Sequence, residues 1–292
     1  MCYKIQLLKY TSLKQLLYEC ISEFLSINTE NIKNRYIEGK RIPLHKDRNN
    51  NKILYTSSVA LQVLDSQNRK AMELAKAIAF HLSATSGDVF NVEIVPPGWI
   101  HFELTDSALG TWLQSLAVGK GEVGSGEMGR EFHPTPPTLP MPNLLFPVQY
   151  AHARCCSLVL LAHREGLIQL REPLASSSPI WSVISPNPIP WLNCNGRLRL
   201  NHPDERRLIS KLVGMVDNKE CPNVRSSVKW EKAALNLSQA FENFWCNCRI
   251  WGEVKIVSPE VAQARLGLLM ATQSVLKFVL EENLGIFAPL EL

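Results

Sequence analysis

The chain has 292 residues, an apolar fraction of 46% and a formal net charge of +4. That is enough apolar material for two hydrophobic cores, and no stretch approaches the ~20 apolar residues of a membrane span, so a soluble, cytoplasmic protein is expected. So small a charge does not by itself announce nucleic-acid binding, although the stretch through Lys52 carries ten Lys and Arg against five Asp and Glu.

Lys4, Gln6, Lys9 and Lys14 interrupt the N-terminus too often for a signal peptide. A first helix is marked by Leu13, Leu16, Leu17, Cys20, Ile21 and Phe24 at helical spacing. After a polar stretch around Asn49 to Asn51, a second helix is predicted from Arg69 to Leu82, with Ala71, Leu74, Ala75, Ile78 and Leu82 on one side. The period then changes to two. Val89 to Val95 reads as a strand, Pro96-Pro97-Gly98 as a turn, and Trp99 to Leu104 as a second strand with Ile100, Phe102 and Leu104 on one face. Thr105 or Asp106 caps a third helix carrying Leu109, Trp112, Leu113 and Leu116. The product is an α+β domain over residues 1–118.

Residues 119–145 read as a linker, flexible at Gly119, Gly121, Gly124, Gly126 and Gly129 and stiffer from Pro134 onward. Two overlapping Gly-x-Gly-x-x-Gly patterns occur here, but a helix precedes them where a dinucleotide site requires a strand. Residues 146–292 are expected to form a mainly helical bundle. In its opening helix Val148, Ala151, Cys155, Leu158, Val159 and Ala162 share an apolar stripe, while Tyr150, Arg154 and Ser157 project away from it. The stretch from Pro173 to Trp191 is an excursion, and helices resume at Asp204 to Val216 and Trp230 to Cys248. The last helix begins at Ser258-Pro259-Glu260, with Ser258 as its cap, and stops at Gly285. Its stripe is Leu266, Leu269, Met270, Gln273, Leu276 and Leu280.

Eight cysteines, among them Cys155, Cys156, Cys246 and Cys248, lack the paired CxxC knuckles of a zinc site and read as reduced, mostly buried thiols. His152 and His163 are eleven positions apart and read as packing residues rather than a catalytic or metal pair. No cofactor is expected. A thiol or metal enzyme using Cys246, Asn247 and Cys248 lacks a positioned base or a further ligand set.

The run Gln149-Tyr150-Ala151-His152-Ala153-Arg154 resembles the opening of the anticodon-binding (DALR) helix bundle of arginyl-tRNA synthetases. Ala240-Phe241-Glu242-Asn243-Phe244-Trp245 is similar to that family's Ala-Phe-x-x-Phe-Tyr segment, with Glu242 a departure. Ser58 to Val63, Glu73 to Ile78 and Pro97 to Phe102 resemble the N-terminal additional domain of the same synthetases. The resemblance implies RNA contacts through Tyr150, Arg154 and Trp245. Tyr150 would stack on an unpaired base and Arg154 would clamp a phosphate or a guanine edge. Two alternatives stay open at this point. Arg154 could instead pair with Glu165 or another acid, and Trp245, only about 40° from Phe241 on the helical wheel, could be a core residue.

The departures are equally informative. Asp-Ala-Leu-Arg is not preserved at Glu260 to Gln263, and Ala288-Pro289 is followed by Leu290-Glu291-Leu292 instead of Glu-Arg-Met. The family's catalytic Rossmann domain would stand where residues 119–145 lie, and neither His-x-Gly-His nor Lys-Met-Ser-Lys-Ser occurs in the chain. The resemblance therefore implies a non-catalytic tRNA-binding protein, an adaptor or chaperone for arginine tRNA working beside a tRNA-modifying or aminoacylating enzyme, with no membrane or DNA partner. The first domain would meet the tRNA elbow and the bundle the anticodon loop. The competing reading is a protein-interaction or regulatory subunit that keeps the folds without RNA.

Overall fold

The computed structural model describes residues 11–28, 42–48, 50–63, 68–118, 145–171, 181–220 and 230–292. Apart from Leu145, the expected linker lies outside the described residues, as do Cys2 and Cys221. The described residues fall into two compact units. One is drawn from Met1–Trp112, Cys194–Leu198 and Val216–Val224, the other from Leu113–Asn193, Arg199–Met215 and Arg225–Leu292.

The first unit is α+β. Helix α1 (Leu13–Asn28) is capped by Ser12, whose Oγ accepts from the Gln15 amide at 3.0 Å. Strands β1 (Leu44–Lys46) and β2 (Leu54–Ser57) follow, then the short α2 (Val59–Val63) and the long α3 (Asn68–Ser86). Strands β3 (Phe90–Val95) and β4 (Trp99–Leu104) are those the alternation indicated. The four strands form one antiparallel sheet in the order β1-β2-β4-β3, with Tyr55 opposite Phe102 and Val95 opposite Trp99. Strands β1 and β2 escape the pattern because three and four residues are too few to show a period.

Ile100, Phe102 and Leu104 face inward from β4, and α3 packs on β3 and α1 with Ala75, Ile78 and Leu82 buried. The β3–β4 turn needs its glycine. Gly98 sits at φ +152°, and a Cβ there would meet Leu61 at 3.2 Å and Ala71 at 3.3 Å. Of the two expected caps of α4 (Asp106–Ala117), Thr105 is the one used, accepting from the Ala108 amide at 3.2 Å. Asp217 is buried in the same unit, where Tyr55 Oη donates at 2.6 Å, Ser12 Oγ at 3.1 Å and the Lys14 amide at 3.0 Å.

The second unit is mainly helical. It contains α5 (Phe146–Arg164), a two-stranded ribbon of β5 (Gln169–Leu170) and β6 (Val183–Ser185), the start of α6 (Pro203–Glu220), α7 (Trp230–Asn247), α8 (Glu253–Val257) and α9 (Pro259–Phe278). Helix α5 packs on α9 and α7. Its expected stripe is buried, and Ala153 and Cys156 widen it.

Helix α9 departs from expectation: every residue from Leu266 to Leu276 is buried, not one stripe. Small residues make this possible by letting neighbours close in around the helix. Gly267 is the clearest case, since a Cβ there would stand 2.6 Å from the Trp191 ring. That ring is fixed through Nε1, which donates to Gln114 Oε1 at 2.8 Å. Ser258 also differs from the expected cap, because its carbonyl rather than its hydroxyl receives the Val261 and Ala262 amides. Beyond α9 the chain tightens into a π turn over Val279–Asn283 and leaves through Gly285 at φ +64°.

Candidate nucleic-acid interface

Helix α5 places Tyr150, Arg154 and Ser157 on its exposed side because the buried positions recur every three to four residues around them. Tyr150 is 45% exposed. Its ring lies nearly parallel to that of Phe146, at 29° and 6.3 Å between centroids. Arg154 takes another partner. Its guanidinium carbon lies 5.4 Å from the centroid of the Trp245 ring on α7. Trp245 in turn meets Trp251 edge-on, at 5.7 Å and 75°.

The expected trio is therefore split into two pairs, one within α5 and one between α5 and α7. Arg154 and Trp245 come together, whereas Tyr150 stacks with Phe146. An ion pair between Arg154 and Glu165 is not what forms, since eleven residues of helix separate them by ~16 Å. Glu165 is held instead by Lys255 Nζ at 2.9 Å. Trp245 is half-buried, at the margin of a face where Phe241 and Phe244 are fully enclosed. One side of its indole carries the guanidinium, an attraction worth about 0.5–2 kcal/mol according to exposure.

Behind this surface α5 is tied to the C-terminal tail. Gln149 Nε2 donates to the Phe287 carbonyl at 3.0 Å, and His152 Nδ1 lies 2.8 Å from the Pro289 carbonyl. On the other side of the imidazole, Gln273 Nε2 lies 2.9 Å from His152 Nε2. A neutral ring protonated on Nδ1 satisfies both contacts, donating to Pro289 and accepting from Gln273. Burial enforces that state by pushing the His152 pKa down to about 4. His163 is apart from it and accepts from the Leu170 amide at 3.3 Å.

Phe146, Trp251 and the His152–Gln273–Pro289 arrangement were not among the candidates from sequence. Phe146 carried a usable signal, four residues before Tyr150 and off the apolar stripe. Trp251 carried none, lying between helices where no period applies.

Four of the described cysteines are thiols that burial keeps protonated. Burial raises the thiol pKa of Cys248 and Cys156 to about 12 and that of Cys20 to about 11, and also pushes that of Cys155 up. Cys246 is exposed on α7, and Asn247 Nδ2 donates to Asp204 Oδ2 at 2.8 Å. Among the described residues no group of three or more His, Cys, Asp or Glu could hold a metal ion, and no helix is long and apolar enough to cross a membrane.

Comparison with known proteins places the helical half. Residues 148–292 match the DALR anticodon binding domain. Arginine–tRNA ligase of Synechococcus sp. (strain JA-3-3Ab) is 31% identical over 143 residues, 49% of this chain and 21% of that protein. The same ligase of Gloeobacter violaceus is 30% identical over 136 residues, 46% of this chain and 20% of that protein. That of Moorella thermoacetica is 31% identical over 149 residues, 50% and 22% of the two chains. The match thus spans about a fifth of the length of these curated relatives. No solved structure gives a significant match.

Proposed function

We propose that this protein, whose residues 148–292 match the DALR anticodon binding domain and resemble arginine–tRNA ligases, binds tRNA without aminoacylating it. Arginine tRNA is the proposed ligand. In this reading residues 146–292 take the anticodon loop, residues 119–145 link the domains, and residues 1–118 meet the tRNA elbow. The protein serves as an adaptor or chaperone in the cytoplasm, handing tRNA to a modifying or aminoacylating enzyme.

The observation that carries the proposal is the surface of α5 within that family's segment. A half-exposed tyrosine ring stands one helical turn from a guanidinium held over an indole. Unpaired loop bases offer faces for Tyr150, at about 1–3 kcal/mol per stacked base, and Arg154 suits a phosphate or a guanine edge. Trp245 supports Arg154 and can present its own edge to RNA. Catalysis is left out of the proposal because the chain contains neither His-x-Gly-His nor Lys-Met-Ser-Lys-Ser, the sequences that steady ATP phosphates in synthetases.

The test is recovery and sequencing of RNA bound to the purified protein, followed by tRNA affinity of Tyr150→Ala and Arg154→Ala. Arginine tRNA enriched in the bound fraction, and weaker binding by both folded variants, support the proposal. Unchanged affinity in both, or a stable protein complex containing no RNA, favours an interaction subunit instead.

A further inference from the structure

Phe146 is more exposed than Tyr150, at 54%, although it opens a helix whose opposite face is fully buried. A phenylalanine so placed contributes little to the core. Its place one helical repeat before Tyr150 brings the two rings side by side on the exposed face. The two rings are separated by one helical repeat of four residues, which sets a rise of ~6 Å and matches the 6.3 Å between centroids. Successive bases along a strand stand about 3.4 Å apart, so a third ring between two others needs ~6.8 Å; the Phe146 and Tyr150 centroids, 6.3 Å apart with 29° between the ring planes, must part slightly and align to admit one.

We propose that Phe146 and Tyr150 form a clamp that holds one unstacked RNA base between their rings. The inference rests on the tRNA-binding reading and adds to it a residue and a mode of binding. Arg154 continues the same line, another ~6 Å along the helix, where its guanidinium on Trp245 meets the backbone beyond the clamped base. Phe146 to Arg154 spans ~12 Å, the length of three to four nucleotide steps. The clamp is held from behind, since Gln149 between the two rings and His152 just beyond Tyr150 are bonded to the chain at Phe287 and Pro289. Stacking recognises a base by its π face, so the clamp selects for an unpaired base rather than for one sequence.

The test uses the full chain and an anticodon-loop hairpin of arginine tRNA carrying 2-aminopurine at one loop position at a time. One position is expected to lose fluorescence on binding, through stacking on both faces. Phe146→Leu, which keeps apolar bulk without a π face, abolishes that quenching and weakens binding by on the order of tenfold. Phe146→Tyr restores both, and melting temperatures stay unchanged because the residue is exposed. If Phe146→Leu binds and quenches like the parent while Tyr150→Leu loses both, the clamp is wrong and a single tyrosine platform remains. If Tyr150→Leu and Arg154→Ala also bind normally, the RNA reading falls together with the clamp.

Discussion

The guanidinium of Arg154 reaches across from α5 to lie 5.4 Å from the centroid of Trp245 on α7. A cation–π contact of this kind fixes the direction of the guanidinium without neutralising its charge, which an ion pair with a carboxylate would do. Arg154 thus remains available to a phosphate.

Salt dependence separates its role from that of Tyr150. Arg154→Ala is expected to weaken tRNA binding by about tenfold and to make the log–log salt slope shallower by about 0.7, the value for one single-strand phosphate contact. Tyr150→Ala should lower affinity to a similar degree with the slope unchanged. Titrations across a salt series read both effects. Identical slopes for the two variants would remove Arg154 from the phosphate backbone.

A second expectation concerns pH. The His152 pKa falls to about 4 in the fold against 6.5 for an unperturbed imidazole, so the folded chain binds fewer protons than the unfolded chain between those values. The stabilisation of the neutral ring is complete above pH 6.5 and is lost as pH falls toward 4, up to about 3 kcal/mol. Burial raises the pKa of Asp217 and Glu281, which act in the opposite sense. The measurement is therefore the difference between the parent and His152→Gln in urea denaturation at pH 7 and 4.5. A parent stability that falls no faster than the variant's would show that the imidazole does not control the loss.

Gly267 and Gly214 are both helical, and alanine should act oppositely at the two. At Gly267 an added methyl stands 2.6 Å from a Trp191 ring that is itself hydrogen-bonded, so alanine should cost about 1–3 kcal/mol through overpacking. At Gly214 nothing lies within 4 Å of the new Cβ, and the same substitution should add up to about 1 kcal/mol through helix propensity. Thermal unfolding of the two variants checks the sign of each.

Glu205 is 1% exposed and bound at 2.6 Å by Arg265 Nε, while its other oxygen takes the His202 amide at 2.7 Å. Arg265→Met should cost about 3–5 kcal/mol, since it leaves a buried carboxylate without its cation. Adding Glu205→Gln to that variant should recover part of the loss. Denaturant midpoints of the single and double variants would expose a purely additive pair, which excludes this coupling.

The elements that were legible in advance are those where a period runs long enough to be counted. The buried face of α5 and the alternation of β4 follow from spacing alone, because a side chain's direction is set by its position in a helix or strand. Strands of three or four residues have no countable period. At Ser258 the residue type suggested a side-chain cap, but the hydroxyl makes no capping bond and the carbonyl takes only the first amides of the helix, as any residue's would.

By itself, the order of residues determined an α+β half, a helical half, and an exposed Tyr150 and Arg154 outside the apolar stripe of their helix. These are local properties of repeat and side-chain direction. Only the tertiary structure decided that Trp245 lies beneath Arg154 and the Pro289 carbonyl against His152. Those partners are distant in the chain, and only packing brings them within reach, whereas Phe146 stands beside Tyr150 through the helical repeat itself.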